Sequence, residues 1–148
     1  MKETIEELFE RDVLKVIDEL KLYADEESIW KLVPGIKNSG GTLCLHLAGN
    51  LHHFIGALLG HTGYVRDRDN EFSSRNVSRH DMIASLESVR LVIHNTFCLL
   101  KEEDLQKTFP VDKHGQTVTT MYMMLHLLTH LNYHLGQLNY HRRMLTLK

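Results

Sequence analysis

Apolar residues recur every three or four positions in four long stretches of this chain, a pattern typical of helices that bury one face. The predicted helices run from about Thr4 to Leu20, from Ser39 or Thr42 to Leu59, from Ser78 to about Leu100, and from about Thr117 to Leu145. The two prolines fall between these stretches, where they interrupt no helix. No stretch alternates apolar and polar residues as a strand would. The pattern therefore predicts an all-α protein.

The apolar positions of the second and fourth predicted helices indicate which side of each helix is buried. In the second helix the apolar positions are Leu43, Leu47, Leu51, Phe54 and Leu58, and His46 shares their face. In the fourth helix the expected core positions are Met121, Leu125, Leu128 and Leu135. A polar residue on the same face as these apolar positions, such as His46, is therefore expected inside the protein.

The connection between the second and third predicted helices, HTGYVRDRDNEFSSRNV, is about 17 residues long, more than a tight antiparallel turn needs. Such a connection can run the length of the molecule, so that these two helices lie parallel. The arrangement predicted is a four-helix bundle with a long crossover between helices 2 and 3.

Composition narrows the class of protein. The 148 residues, 43% hydrophobic and 24% charged, suit a single domain over residues 1–148. A net charge of −2 with dispersed lysines and arginines argues against nucleic-acid binding. No long apolar stretch predicts a membrane span, and the charged N-terminus does not resemble a signal peptide, so we expect a cytoplasmic protein. Cys44 and Cys98 lie in apolar runs and are expected to be buried, unpaired thiols.

Three histidines, His126, His130 and His134, recur at four-residue spacing in the fourth predicted helix. Four residues make about one helical turn, so neighbouring members can direct their imidazoles at one point. Imidazole is the commonest side chain that binds transition metals. The outer two lie about 12 Å apart along the helix, so the pair is either His126 with His130 or His130 with His134.

A metal ion needs donors from more than one helix, because one helix presents too narrow a stripe to surround it. Among the histidines of the second helix, His46 lies in phase with Leu43 and Leu47 and is the predicted third ligand. Three imidazoles leave a coordination position open, as in sites that activate water or a thiol.

Other polar residues are candidates for supporting roles. Asn50 follows His46 by one turn and could hydrogen-bond a ligand, although a role in helix packing is equally reasonable. Arg66 and Arg68 lie in the crossover and could bind the carboxylate of a small anionic molecule if the crossover lies at the metal's end of the bundle. Otherwise they belong to a solvated loop with its own ion pairs.

The strings HLAGNLHHFIGALLG and HLLTHLNYHLGQLNYHRRML resemble the DinB superfamily, helical bundles also grouped with YfiT-like metalloenzymes. The resemblance covers nearly the whole chain. It implies His46, His130 and His134 as ligands, with Gln137 in the Gly-Gln step as a further candidate to hydrogen-bond a ligand and His126 beside the site as a candidate substrate contact. It also implies an up-down-down-up bundle, often a homodimer, that binds nickel, zinc or a similar divalent ion. Its members include bacillithiol and mycothiol S-transferases and a maleylpyruvate isomerase, while many have no assigned reaction.

Three functions are consistent with these features. The first is a metalloenzyme that activates a thiol or water for transfer to, or hydrolysis of, a small molecule, with a low-molecular-weight thiol as a possible substrate. No acidic residue adjoins the histidines as in HExxH, which disfavours a hydrolase with a carboxylate base. The second is a noncatalytic metal-binding stress-response bundle, and the third is a metal-free helical interaction module in which the histidines pack and hydrogen-bond.

Overall fold

The computed structural model describes residues 1–146, and over that range the protein is helical with no strands. Its six α-helices are α1 (Lys2–Leu22), α2 (Glu26–Trp30), α3 (Gly40–Leu51), α4 (Arg68–Ser73), α5 (Arg79–Leu99) and α6 (Thr120–Thr146). A π-helical turn, His52–Ala57, continues α3, and a 3-10 helix, Glu102–Gln106, follows α5. The prediction of an all-α protein is confirmed.

Serine side chains cap the N-termini of two of the long helices. Ser78 is the predicted start of its helix, and Ser39 is one of the two starts predicted for the other. Ser39 Oγ accepts a hydrogen bond from the backbone of Thr42 at 3.1 Å, and Ser78 Oγ accepts one from Asp81 at 3.0 Å. Each hydroxyl satisfies a backbone N–H that the first turn of a helix leaves without a partner. α6 begins at Thr120 and not near Thr117, because the backbone of Thr120 donates to Lys107 and holds the preceding residues in an extended connection.

The four long helices share one apolar core. α1 packs against α5 and α6, and α3 packs against the same two helices. The rings of Phe9 on α1 and Phe97 on α5 meet at 6.2 Å between centroids, and both side chains are fully buried. None of the helices within residues 1–146 is long and apolar enough to cross a membrane.

The predicted core face of the last helix is correct in part. Leu125 is 46% exposed and its predicted burial is wrong, whereas Met121, Leu128 and Leu135 are partly buried and pack against the core. The buried positions are Met123, Met124, Leu127, Leu131 and Leu138. Apolar residues lie on several sides of α6, so their period alone does not determine which side faces the core.

The second predicted helix ends in a π-helical turn. Backbone bonds run from Leu58 to His53 and from Gly60 to Ile55, five residues apart, so this turn contains one residue more than an α-helical turn. Ile55 is fully buried, while Phe54 and Leu58 are half-buried and pack against the core. Ile55 follows Leu51 by four residues, so it is a core position that the predicted set omitted.

The crossover contains a short helix that the periodicity did not predict. α4 begins at Asp67, whose side chain accepts a hydrogen bond from the backbone of Asn70 at 3.0 Å. α4 packs on α3, so the crossover lies against the helix that carries His46. α3 in turn packs on α6.

The two cysteines have different surroundings. Cys44 is buried, as expected, but Cys98 is exposed, so its predicted burial is wrong. Cys98 lies one turn after His94 on the outer side of α5, where both residues are exposed. Of its two neighbours in the sequence, Phe97 is fully buried but Leu99 is 70% exposed, so the apolar run does not indicate burial of Cys98.

Candidate metal centre

Three imidazoles from two helices converge at one point. His46 Nε2, on α3, lies 3.2 Å from His130 Nε2, on α6. His134 Nε2, one turn further along α6, lies 3.1 Å from the same atom. One donor atom of each ring lies within 4.8 Å of the others, which is close enough for the three histidines to bind one metal ion.

The hydrogen bonds on the far side of two rings determine which nitrogen carries a proton. His46 Nδ1 lies 3.1 Å from Glu71 Oε1, and His134 Nδ1 lies 2.6 Å from Gln137 Oε1. A carboxylate or amide oxygen can only accept, so each Nδ1 must donate a proton to it. The Nε2 atoms of both neutral rings therefore present lone pairs to the centre of the cluster.

Burial keeps two of the rings neutral. Burial lowers the pKa of His46, and the hydrogen bond that its Nδ1 donates to Glu71 opposes this shift only in part. Burial also lowers the pKa of His130 to about 3, with a further contribution from the neighbouring His134 and His46. Neutral imidazole is the form that binds a metal ion, so these two rings are ready to do so at pH 7.

His130 has a polar atom that the protein leaves without a partner. Its Nδ1 is buried and has no hydrogen bond to any atom of residues 1–146. Its Nε2 faces the Nε2 atoms of His46 and His134, which both carry lone pairs, and a single N–H on His130 supplies one proton for two acceptors. A cation among the three Nε2 atoms would be bound by all three lone pairs with the His130 proton on Nδ1, so the donor set fits a divalent metal ion.

Glu71 is a member of the site that the sequence did not reveal. This residue lies on α4, is 6% exposed, and accepts hydrogen bonds from Arg66 Nε at Oε2 and from Arg66 Nη2 at Oε1, both at 2.8 Å. Arg66 Nη2 also lies 3.4 Å from His46 Nδ1, so the guanidinium, the carboxylate and the imidazole form one cluster. Glu71 follows His46 by 25 residues, a separation that no helical spacing could have flagged.

The crossover therefore lies at the histidine cluster, a point that the sequence left open. Arg66 was a candidate to bind substrate, and in the structure its guanidinium is engaged by Glu71. Arg68 is exposed, and its guanidinium lies 5.0 Å from the ring centroid of Phe72. That ring in turn lies 5.0 Å from the ring of His46.

The remaining candidates lie at different distances from the cluster. His126 stacks on His130 with ring centroids 6.5 Å apart, so it adjoins the site without being part of the triad. Asn50 is buried, but its Oδ1 has no hydrogen-bond partner within residues 1–146 and it makes no hydrogen bond to His46. Gln137 contacts His134 directly, as described above.

The two sides of the cluster differ in exposure. His46 is 7% exposed and covered by α4, whereas His130 and His134 are half-exposed on α6. Within residues 1–146 the protein supplies a cluster of three donors, with a side open to solvent along α6. Such an arrangement leaves room for a small molecule beside the donors.

Comparison with known proteins identifies the family of this chain. No curated protein matches the sequence closely enough to count as a relative. The family model described as "Protein of unknown function (DUF1572)" matches residues 3–148. Because the match spans almost the entire sequence, the chain belongs to the DUF1572 family.

Proposed function

We propose that this chain is a DinB-like metalloenzyme in which His46, His130 and His134 hold a divalent transition metal, zinc or nickel. The observation that carries the proposal is the approach of the three Nε2 atoms, which lie 3.1 and 3.2 Å from one another in two pairs. Nitrogen donors suit both metals. When bound, such an ion would supply Lewis-acid activation of a thiol or water for transfer to, or hydrolysis of, a small molecule.

The helix packing supports the DinB-like assignment. Each of α1 and α3 packs against both α5 and α6, which is the pattern of neighbours in a four-helix bundle. The crossover between α3 and α5 is long enough for these two helices to run parallel, as an up-down-down-up bundle requires. We therefore include this topology in the proposal.

The donor count favours catalysis over a purely structural ion. Structural zinc sites are usually closed by four protein donors, whereas catalytic sites keep a position for water or substrate. The protein brings three donors together here, and two of them are half-exposed. A noncatalytic role as a metal staple between α3 and α6 is the second candidate, because the donors come from both helices.

Two residues beside the cluster are suited to bind an anionic substrate. Arg68 makes no hydrogen bond or ion pair with residues 1–146 and lies next to Phe72, so its guanidinium can bind a carboxylate. His126 stacks on His130, with ring centroids 6.5 Å apart. We propose a small acidic molecule, such as a low-molecular-weight thiol, as the substrate.

The outer face of α6 supports the proposal of a homodimer. Three tyrosines on this helix, Tyr122, Tyr133 and Tyr140, are between 54% and 66% exposed. Exposed aromatic residues are enriched where proteins contact one another. A second copy of the chain is the proposed partner for this face.

The test is metal analysis of protein purified without a histidine tag and supplemented with zinc or nickel. We expect about one equivalent in wild type and none in His130→Ala, because removal of the central donor leaves two nitrogens that do not face each other closely. His80→Ala is the matched control, since the side chain of His80 is 91% exposed and remote from the cluster in α5. Wild type that retains no stoichiometric ion would contradict the proposal.

The metal-loaded protein also distinguishes the two candidate functions. We expect turnover with one or more members of a panel of low-molecular-weight thiols and electrophiles, and its loss in His130→Ala. Saturating metal should also raise the free energy of unfolding of wild type, by about 2.7 kcal/mol at a free concentration 100 times the dissociation constant. Stabilisation without any turnover would favour the noncatalytic staple.

A further inference from the structure

We infer that Glu71 positions His46 for the metal, so that ion binding and docking of α4 on α3 are coupled. Glu71 is paired with Arg66, and it fits against α3 because residue 49 is a glycine. The inference rests on the proposed function, because it concerns residues that act on the same site. It adds a positioning group and a conformational consequence that the three histidines alone do not imply. Each step follows from a separate contact.

The first step is the burial of a carboxylate. Glu71 is 6% exposed, and burying a charged group is costly unless that group is paired and hydrogen-bonded. Arg66 supplies the pairing through two parallel hydrogen bonds of 2.8 Å, and its side chain is only 12% exposed. Exposed ion pairs contribute little to stability, whereas a buried charge is tolerated only when it is paired and hydrogen-bonded as Glu71 is by Arg66. This pairing on and just before α4 therefore indicates a specific role for Glu71 where α4 contacts α3.

The second step is the space that α3 leaves for this carboxylate. A Cβ added at Gly49 would overlap the carboxylate of Glu71. Gly49 lies three residues after His46, so the gap is on the same side of α3 as the imidazole. Glycine in a helix interior is unfavourable by about 1 kcal/mol relative to alanine, and here its absent side chain lets the carboxylate reach the ring.

The third step is the effect of Glu71 on the ring. Because Glu71 Oε1 accepts the Nδ1 proton of His46 at 3.1 Å, Nε2 keeps its lone pair and points at His130 and His134. Phe72, the next residue of α4, packs against the same imidazole at 5.0 Å between centroids. One short helix therefore sets both the tautomer and the orientation of the ligand. A carboxylate on the second nitrogen of a histidine ligand also strengthens that ligand.

Coupling follows because His46 contacts both partners. If docked α4 improves His46 as a ligand, then the bound ion must favour docked α4 by the same factor. The amides of residues 68–73 should therefore exchange with solvent more slowly when metal is bound. Loss of the Glu71 charge should weaken metal binding by about 10-fold to 100-fold, the usual effect of such residues.

The experiment is a zinc titration in competition with a chromophoric chelator, with hydrogen exchange of residues 68–73 measured with and without zinc. Glu71→Gln should lose about 10-fold to 100-fold in zinc affinity and most of the zinc-dependent protection. Arg66→Lys should show a smaller loss, because lysine keeps the charge but cannot form two parallel hydrogen bonds. Asp69→Asn is the matched control, since it removes one negative charge from the same helix at an exposed position, and its affinity should stay within about twofold of wild type.

The outcomes separate this inference from the proposed function. Wild type that binds zinc, together with Glu71→Gln that binds it equally well, would overturn the inference and leave the proposed function standing. Wild type that binds no zinc would overturn both. If Glu71→Gln fails to fold by circular dichroism, Arg66→Lys decides the question, and unchanged affinity and protection in that variant would overturn the inference.

Discussion

Gly49 is the residue of α3 against which the side chain of Glu71 packs, beside the histidine cluster. The carboxylate of Glu71 lies where the Cβ of any other residue would be. At most exposed helical positions, replacing glycine by alanine stabilises a protein, because alanine restricts the unfolded chain and favours the helix. At Gly49 this gain is opposed by the displacement of a buried ion pair.

Gly49→Ala should therefore lower the free energy of unfolding by about 1–3 kcal/mol, since it leaves the buried Glu71 and Arg66 imperfectly paired. It should also weaken zinc binding, because the displaced carboxylate no longer orients His46. Urea denaturation and zinc titration measure the two effects.

The matched control is Gly136→Ala, an exposed helical position where no atom of residues 1–146 lies within 4 Å of an added Cβ. This substitution should leave stability unchanged or raise it by up to about 1 kcal/mol. Equal effects of the two substitutions would show that the contact with Glu71 is not what Gly49 is needed for.

At the residue scale, the histidines were predictable and Glu71 was not. His46 shares the face of Leu43 and Leu47, and His130 belongs to either pair that the helical spacing allows. Spacing left His126 and His134 as alternatives, and the resemblance to the DinB superfamily selected His134. Glu71 lies in a crossover without periodicity, and its contact with His46 depends on how α4 docks on α3. Tertiary packing of this kind leaves no spacing signal in one sequence.

At the scale of elements, the start of α5 is a local structure that the sequence specifies well. Ser78 Oγ accepts the hydrogen bond of the Asp81 backbone at 3.0 Å, and Asp81 lies in the first turn, where a negative charge is favourable. The buried side chains of α5, from Met82 to Phe97, then determine which side of the helix faces the core.

Ser78→Ala should lower the free energy of unfolding by about 1 kcal/mol, because the first turn of α5 loses the acceptor for a backbone N–H. Chemical denaturation monitored by circular dichroism measures the change. Ser88→Ala is the control, since Ser88 is exposed in the middle of the same helix, and it should change stability by less than about 0.5 kcal/mol. A similar loss in both variants would argue against the capping role.

The elements that were mispredicted have physical causes. The buried face of α6 could not be chosen because apolar side chains occur on several sides of the helix, including the exposed Leu125. Ile55 is fully buried and Phe54 only half-buried. The period does not distinguish them, because Ile55 follows Leu51 by four residues and Phe54 follows Leu51 by three, and both spacings are helical. Capping residues, in contrast, act within four positions, so Ser78 was correctly predicted, and Ser39 was one of two predicted starts of the second helix.

At the scale of the whole molecule, polar contacts join α1 to the later part of α6. Arg142 Nε donates to Glu19 Oε2 at 2.6 Å, and Asn139 Nδ2 donates to Glu19 Oε1 at 2.7 Å. Burial alone would raise the pKa of Glu19, but these two hydrogen bonds, together with the positive charges of Arg142 and Arg143, outweigh it and hold the pKa below its ordinary value. Folding and the protonation of Glu19 are therefore linked.

Glu19→Gln should lower the free energy of unfolding by about 1.5 kcal/mol at pH 7, because a charged acceptor of two hydrogen bonds is lost. A depressed pKa stabilises the folded state above the ordinary value of 4.5, and this contribution is lost as the pH falls through the lowered value. The difference between wild type and Glu19→Gln should therefore shrink on acidification below pH 4.5. Denaturation curves at a series of pH values measure this difference.

Asp18→Asn serves as the control for this prediction, because Asp18 is the exposed neighbour of Glu19 on α1. It should show little difference from wild type at any pH. A difference between wild type and Glu19→Gln that stays constant between pH 7 and pH 3 would contradict the linkage.

The order of the histidines along the chain sets when the cluster can form during synthesis. His46 precedes His130 by 84 residues, and Glu71, which orients His46, is also made long before α6. A growing chain that ends before α6 thus has one prepared imidazole and no partner for it. An ion held by all three rings can therefore bind only after translation has passed His134.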